Sequence, residues 1–165
     1  MALNTLRDLY VEQLRDLYSA ENQILKSLPK MAEAAKHPEL RQAFEAHVTL
    51  TEEHVRRLDS IFTDLNEKGS GHHCKGMEGL LKEANDTVKE KGDSDVLDAA
   101  MIANAQRVEH YEMAGYGCVR TYARMLGREQ DATLIQQTLD EEGATDEQLT
   151  TLAERVINID ALRDM

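Results

Sequence analysis

Residues 66–94 read NEKGSGHHCKGMEGLLKEANDTVKEKGDS, and this stretch decides how the helices on either side of it are arranged. Its glycine-rich start, Gly69–Gly76, predicts a loop, and Met77 to Lys91 predicts a short amphipathic helix. An up-down helix bundle uses short loops throughout, so a connection this long argues against one. The segment instead predicts a crossover between two helical hairpins.

Four long segments flank the crossover, two on each side, and their apolar residues recur at the spacing of three or four that indicates helix. Pro29 predicts a kink or a short second piece in the first segment. The connections within each pair are tight, which favours antiparallel hairpins. The predicted segments run from about Thr5 to Lys36, from Pro38 to the end of the first hairpin, from Ser94 to Leu126 and from Glu129 to Asn158.

This pattern predicts an all-α, ferritin-like antiparallel four-helix bundle whose long crossover contains a short fifth helix. We expect a single domain over residues 1–165, made of a helical hairpin at 3–67, the crossover at 68–92 and a second hairpin at 93–158.

The charge and the cysteine content narrow the class of protein. A net charge of −12 makes nucleic acid an improbable partner, because phosphate backbones would be repelled. The N-terminus lacks a signal peptide's apolar run, and no stretch reaches the roughly 20 apolar residues of a membrane span. The two cysteines, Cys74 and Cys118, suit a reducing compartment. We therefore expect a soluble, cytoplasmic protein without a membrane partner.

Several polar residues, His47 and Thr51 among them, interrupt the apolar stripes that should face the bundle interior. A buried ionised carboxylate costs several kcal/mol unless it is paired or bound to a metal, and several in one layer would repel each other. The offset is 33 residues both from Glu21 to His54 and from Glu109 to Glu142, as an internal repeat of two hairpins would give. The predicted metal ligands are Glu21, His54, Glu109, Glu112 and Glu142.

Carboxylate oxygens with an imidazole nitrogen suit iron or manganese better than copper or structural zinc, so we expect a di-metal, di-iron or manganese centre. Any one of these glutamates could instead be a rim residue or half of a salt bridge; the matched set favours metal. His47 lies about 10 Å from His54 by helical rise, which predicts a hydrogen-bonded core histidine outside the site.

Other residues near the proposed site carry weaker signals. His110 and Glu141 point about 100° away from the ligands, which predicts solvated or interface positions. Tyr116 follows Glu112 by one turn, as a core tyrosine or a hydrogen-bonding neighbour of the site. The run His72-His73-Cys74 could bind a metal, but a mobile loop with no cluster of partner ligands is the favoured interpretation.

Several motifs spread over nearly the whole chain resemble the YciE/YciF family of bacterial stress-associated proteins. That resemblance implies a rubrerythrin-like bundle and a homodimer. The motifs are DLYSAENQ at 16–23, His47 with Thr51, Cys74 with MEGL at 77–80, AQRVEHYE at 105–112, and LDEE at 139–142 with ATD at 144–146.

The resemblance also implies which ligands differ from a rubrerythrin-type site, which has Glu-x-x-His on its second and fourth long helices. His54 takes the position of the second-helix glutamate, Arg57 that of its histidine, and Thr145 that of the fourth-helix histidine. Leu50 stands where relatives often carry a glutamate.

Two functions are consistent with these patterns. One is a di-metal protein of the stress response, with or without oxidase or peroxidase activity. The other is a structural, dimeric stress protein with a degenerate, metal-free site. Iron storage in a cage is disfavoured, because little sequence follows Asn158 to form the extra helix of a ferritin shell.

Overall fold

A computed structural model of the chain describes residues 3–163, and every regular element in that range is helical. None of these helices combines the length and the apolar character needed to cross a membrane. The elements are α1 (Leu6–Ala34), α2 (Pro38–Leu65), α3 (Lys75–Lys89), α4 (Ser94–Met125), α5 (Glu129–Leu152), a π-helical turn (Ala153–Ile157) and α6 (Asn158–Arg163).

The helix ends depend on local chemistry. Thr5 and Asp8 form a capping box at the start of α1, and Pro38 occupies the first turn of α2. The Asp93 side chain accepts hydrogen bonds from two backbone N–H groups at the start of α4. Gly127, with φ of 70°, follows the end of α4 and reverses the chain there.

Contacts between helix ends establish the topology. The Arg7 side chain at the start of α1 donates to the Leu65 carbonyl at the end of α2, so this hairpin is antiparallel. Gln106 in α4 likewise bonds Thr150 in α5. The end of α1 meets the start of α4, where Asp98 accepts from the Lys36 backbone. The connection from α2 to α4 therefore runs the length of the bundle, and α3 packs on α1 and α4. The predicted four-helix bundle with a helical crossover is confirmed.

Two details of the helices differ from expectation. The helix α1 is continuous from Leu6 to Ala34, so the predicted short second piece after Pro29 is wrong. The fourth long helix is interrupted by the π-helical turn, which accommodates an extra residue per turn and rotates the residues after it about the helix axis. After this rotation Ile157 is buried, whereas its neighbour Val156 is only partly buried.

The apolar core has two halves. The first lies towards the end of α1 and the start of α4, and includes Ile24, Phe44 and Leu149. The second lies at the opposite end of the bundle and includes Leu14 and Ile135. On each of the four long helices, the residues between the two halves are polar and buried. This polar layer contains the candidate site.

Candidate metal centre

Six buried side chains from all four long helices converge in the polar layer. Each is exposed by 4% or less of its surface. The helix α1 contributes one residue, α2 and α4 contribute two each, and α5 contributes one. The six are Glu21, His47, His54, Glu109, Glu112 and Glu142. All five ligands predicted from the sequence therefore lie together, with His47 added.

These side chains form two groups that share one carboxylate. Glu21, His54 and Glu142 make one group, and His47, Glu109, Glu112 and Glu142 make the other. Within a group, one potential ligand atom from each residue lies within 4.8 Å of all the others. Glu142 belongs to both groups, so it lies where a carboxylate would bridge two neighbouring cations.

The two imidazoles face the carboxylates through one ring nitrogen each. His54 Nδ1 lies 3.0 Å from Glu142 Oε1 and 3.4 Å from Glu21 Oε1. His47 Nε2 lies 3.6 Å from Glu109 Oε1 and 3.8 Å from Glu142 Oε2. None of these contacts has the geometry of a hydrogen bond, and both nitrogens are without a hydrogen-bond partner.

Most of the unpartnered buried side-chain polar atoms in the described part of the chain lie in this layer. Among residues 3–163, ten buried side-chain nitrogen and oxygen atoms lack a hydrogen-bond partner, and eight belong to these six residues. Both carboxylate oxygens of Glu112 and both of Glu142 are among them. A buried polar group without a partner is destabilising and rare, so a concentration of them in one place calls for a ligand.

The protonation of the layer reflects its crowding. Burial, reinforced by the neighbouring carboxylates, raises the pKa values of Glu109 and Glu112 well above the usual range. Burial also raises the pKa of Glu21. Burial alone would lower the pKa of His54, but Glu142 and Glu21 raise it to about 10. The layer thus favours neutral, protonated carboxyls and a positively charged imidazolium, so protons reduce the negative charge that cations would otherwise neutralise.

Other side chains hold these groups from outside. The Tyr116 hydroxyl donates a hydrogen bond to Glu21 Oε1, which identifies Tyr116 as a hydrogen-bonding neighbour of the site. Glu141 Oε2 lies 2.9 Å from His54 Nε2. Arg57 donates to both oxygens of Glu141, at 2.6 Å and 2.9 Å. The prediction of a solvated or interface position for Glu141 missed this contact.

The composition of the cluster fits hard or borderline divalent cations. Four carboxylates and two imidazoles supply oxygen and nitrogen donors without thiolate, a set suited to iron or manganese. The unpartnered oxygens would become satisfied by coordination. Protons on the raised-pKa carboxyls would be displaced, as metal binding to protonated ligands requires.

His47 was predicted to lie outside the site because of the helical rise between it and His54. Their ring centroids are 6.5 Å apart, because the side chains reach towards one another. His47 belongs to the group with Glu109, Glu112 and Glu142, not to the group that contains His54, so its distance from His54 does not exclude it from the site. The usable signal was its inward position, one turn before the buried Thr51.

The loop before α3 is a second correction. Cys74 is fully buried and caps α3, with its Sγ 3.2 Å from Asp16 Oδ2 and 3.0 Å from the Tyr111 hydroxyl. His72 also contacts Asp16, at 3.0 Å. These contacts, which the interpretation of a mobile loop did not include, hold the crossover against α1 and α4. His110, by contrast, is exposed as expected.

Comparison with known proteins identifies relatives over the whole chain. Residues 5–162 match a family model described as a domain of unknown function, DUF892. Protein YciF of Escherichia coli K12 is 42% identical over 159 residues, which cover 96% of both chains. The crystal structure of the Escherichia coli stress protein YciF has a TM-score of 0.90 at 42% identity, covering 94% of this chain and 98% of that one.

Two further solved structures are similar. YcfI from Rhodopseudomonas palustris has a TM-score of 0.87 at 44% identity, covering 90% of this chain and 95% of that one. A protein from Xanthomonas campestris pv. campestris has a TM-score of 0.77 at 20% identity, and it supports the fold alone. The resemblance inferred from the motifs is confirmed, and the chain belongs to the DUF892 family as a relative of Escherichia coli YciF.

Proposed function

We propose that this protein binds two divalent metal ions, iron or manganese, in the polar layer of the bundle. One ion would be held by Glu21, His54 and Glu142. The other would be held by His47, Glu109, Glu112 and the shared Glu142. The observation that carries this proposal is the set of eight unpartnered buried ligand atoms on six converging side chains.

The alternatives to metal binding leave this layer unsatisfied. A hydrogen-bonded network of the same residues would need a partner for each buried oxygen, yet neither oxygen of Glu112 has one. Two divalent cations would neutralise four carboxylates while coordinating their lone pairs. Two imidazoles also provide the nitrogen ligands whose usual positions are occupied by Arg57 and Thr145.

Iron bound in this layer would supply redox chemistry towards oxygen or peroxide, which is the basis for an oxidase or peroxidase activity. The protein's own contribution is to exclude bulk water and to orient the ligands. We propose a role in the stress response, on the similarity to a protein described as a stress protein.

Metal content tests the proposal directly. The protein is purified without chelators, then reconstituted separately with Fe²⁺ under anaerobic conditions and with Mn²⁺, and the metal per chain is counted by mass spectrometry. We expect about two ions per chain for the preferred metal. Absence of both metals after reconstitution would refute the proposal.

A double variant identifies the ligands. Glu109→Ala/Glu142→Ala removes the shared carboxylate and one ligand of the second group, so metal binding should be lost while the helical circular dichroism spectrum is retained. A matched control, Glu52→Ala/Glu147→Ala, removes two exposed glutamates from α2 and α5. The control should bind metal normally; equal losses in both variants would assign the effect to net charge.

The second candidate function is a structural, dimeric protein with a metal-free layer. It is supported by the close approach of His54 to Glu21, Glu141 and Glu142, which places an imidazolium among carboxylates without a metal. The relative YcfI is described as a candidate structural protein. A folded, stable protein that binds no metal after reconstitution would favour this function.

We also propose a homodimer in the cytoplasm. The two cysteines are free, with Cys74 buried and Cys118 exposed, as suits a reducing compartment. Light scattering at micromolar protein concentration would give twice the chain mass of 18.6 kDa for a dimer, and the mass of one chain would refute it.

A further inference from the structure

The outer nitrogens of the two buried histidines contact residues that the metal ligand set does not include. On His54 the inward nitrogen is Nδ1 and the outward nitrogen is Nε2, which meets Glu141 at 2.9 Å. On His47 the inward nitrogen is Nε2, and Nδ1 lies 3.4 Å from the Thr145 hydroxyl. Both outer contacts come from α5, on either side of the shared ligand Glu142.

The contact between Glu141 and His54 determines which nitrogen carries a proton. An ionised carboxylate can only accept a hydrogen bond, so His54 Nε2 must be the donor. Arg57 keeps the carboxylate ionised and in place through two hydrogen bonds to its oxygens, and it also donates to Thr138 at 3.0 Å. In a neutral imidazole with its proton on Nε2, the free lone pair is on Nδ1, the nitrogen that faces Glu21 and Glu142.

The contact at His47 also determines which ring nitrogen carries the proton. The Thr145 hydroxyl donates its single proton to the Glu141 carbonyl at 3.0 Å, so towards His47 Nδ1 it can only accept. The proton of His47 therefore belongs on Nδ1, and its lone pair on Nε2 faces the carboxylates. Arg57 and Thr145, which stand where histidine ligands were expected, act in the shell around the two histidines that are present.

We propose that Glu141, held by Arg57, is a positioning residue that orients His54 and keeps its Nδ1 available as a metal ligand. This inference rests on the proposed two-metal function, and it adds that the two metal positions depend on different outer residues. Loss of Glu141 should weaken binding of the ion beside Glu21 and His54. It should leave binding of the ion beside Glu109 and Glu112 unchanged.

The chain offers a matched control for Glu141. Glu53 also approaches Arg57, at 3.8 Å, and it is half-exposed on the same side of the bundle. It is not among the partners of His54. Glu53→Ala therefore removes a carboxylate from the same arginine without removing the contact to the histidine.

The test is a Co²⁺ titration, followed by the visible absorption of the bound ion, of the wild type, Glu141→Ala, Glu141→Gln and Glu53→Ala. Removal of an outer partner of a metal-binding histidine typically lowers affinity about 10- to 100-fold. In Glu141→Ala, we expect the Co²⁺ affinity of one of the two sites to fall by this factor. The affinity of the other site should stay within about twofold of the wild type. Glu141→Gln should lie between the two, because its amide oxygen accepts the Nε2 proton but forms no ion pair with Arg57. Glu53→Ala should match the wild type.

A second measurement reports on the histidine in the metal-free protein. Nitrogen NMR of histidine-labelled protein should show an exchange-protected proton on His54 Nε2 that is lost in Glu141→Ala and kept in Glu53→Ala. Such a site binds Co²⁺ more tightly than Mn²⁺ or Fe²⁺, so a wild type that takes up no Co²⁺, and no Fe²⁺ or Mn²⁺ on reconstitution, refutes the two-metal function and the inference with it. A wild type that binds two ions, with unchanged or uniformly weakened binding in Glu141→Ala, refutes the positioning role alone.

Discussion

The substitution Glu112→Gln should have opposite effects on stability in the absence and presence of metal. Glu112 is fully buried on α4, and neither of its carboxylate oxygens has a hydrogen-bond partner. Burial and the neighbouring carboxylates raise its pKa well above the usual value. Without metal, this carboxyl is a source of instability; in the proposed two-metal centre it would be a ligand.

Without metal, the change in the free energy of unfolding depends on how strongly the folded state favours the protonated form of Glu112 compared with the unfolded state. In the unfolded chain near pH 8 the carboxyl is ionised, so folding must take up a proton or bury a charge. Each tenfold protonation preference is worth about 1.4 kcal/mol. The neutral amide avoids this term, so Glu112→Gln should raise the free energy of unfolding by about 1–3 kcal/mol in the presence of a chelator.

With metal, the stabilisation of the folded protein depends on the ratio of the metal concentration to the dissociation constant. A metal concentration 100 times the dissociation constant stabilises the wild type by about 2.7 kcal/mol. If the variant binds the ion 100-fold more weakly, the same metal concentration stabilises it by only about 0.4 kcal/mol. The advantage of the variant should therefore shrink by about 2.3 kcal/mol, and it should disappear or reverse.

Urea unfolding, followed by circular dichroism with either EDTA or Mn²⁺ present, measures both quantities. Glu52→Gln is the control, since Glu52 is exposed on α2 and its change should have little effect in either condition. If Glu112→Gln destabilises the protein equally with and without metal, the account of Glu112 as an unpaired carboxylate awaiting a cation is wrong.

Three further predictions rest on the same contacts. The metal-free protein should lose stability as pH rises from about 6.5 to about 8.5, because the raised pKa values of Glu109, Glu112 and His54 make the folded state bind more protons than the unfolded state, whereas the lowered pKa of His47 acts in the opposite direction only below this range; urea unfolding in EDTA measures the slope, and a rise over this range would contradict it. Tyr116→Phe should destabilise the metal-free protein by about 1–3 kcal/mol, because Glu21 Oε1 loses its hydrogen bond, and an unchanged urea midpoint would exclude this role. In the native protein a thiol reagent should modify exposed Cys118 quickly and buried Cys74 slowly, and Asp16→Ala should accelerate the reaction of Cys74 by opening the loop before α3, whereas Asp86→Ala on the exposed side of α3 should not.

The helices and their connections could be read from the sequence because they depend on local features. The capping residues Thr5 and Asp93, Pro38 in a first turn and Gly127 after α4 act within a few residues of their own positions. The length of the crossover then left few arrangements for two hairpins. The π-helical turn was not readable in this way, because packing of the last turns against α4 governs which residues are buried there.

Some residues of the candidate site were likewise recognisable from the sequence, and others only from the tertiary structure. Glu21, His54, Glu109, Glu112 and Glu142 were recognisable because polar residues on an apolar stripe violate the pattern that helix burial imposes. Their binding of metal stays a prediction. The membership of His47 and the outer roles of Glu141, Arg57 and Thr145 depend on which nitrogen of each ring faces inward, and only the packing of α2 against α5 determines that orientation.

By itself, the sequence determined that four amphipathic helices pair as two hairpins and that acidic residues lie at one depth within them, because periodicity and spacing act along the chain. The tertiary structure alone decided that Cys74 is buried between α1 and α4, and that the two histidines of α2 face separate groups of carboxylates. Contacts of this kind join residues far apart in sequence, and their geometry arises only when the helices pack at a particular separation and rotation.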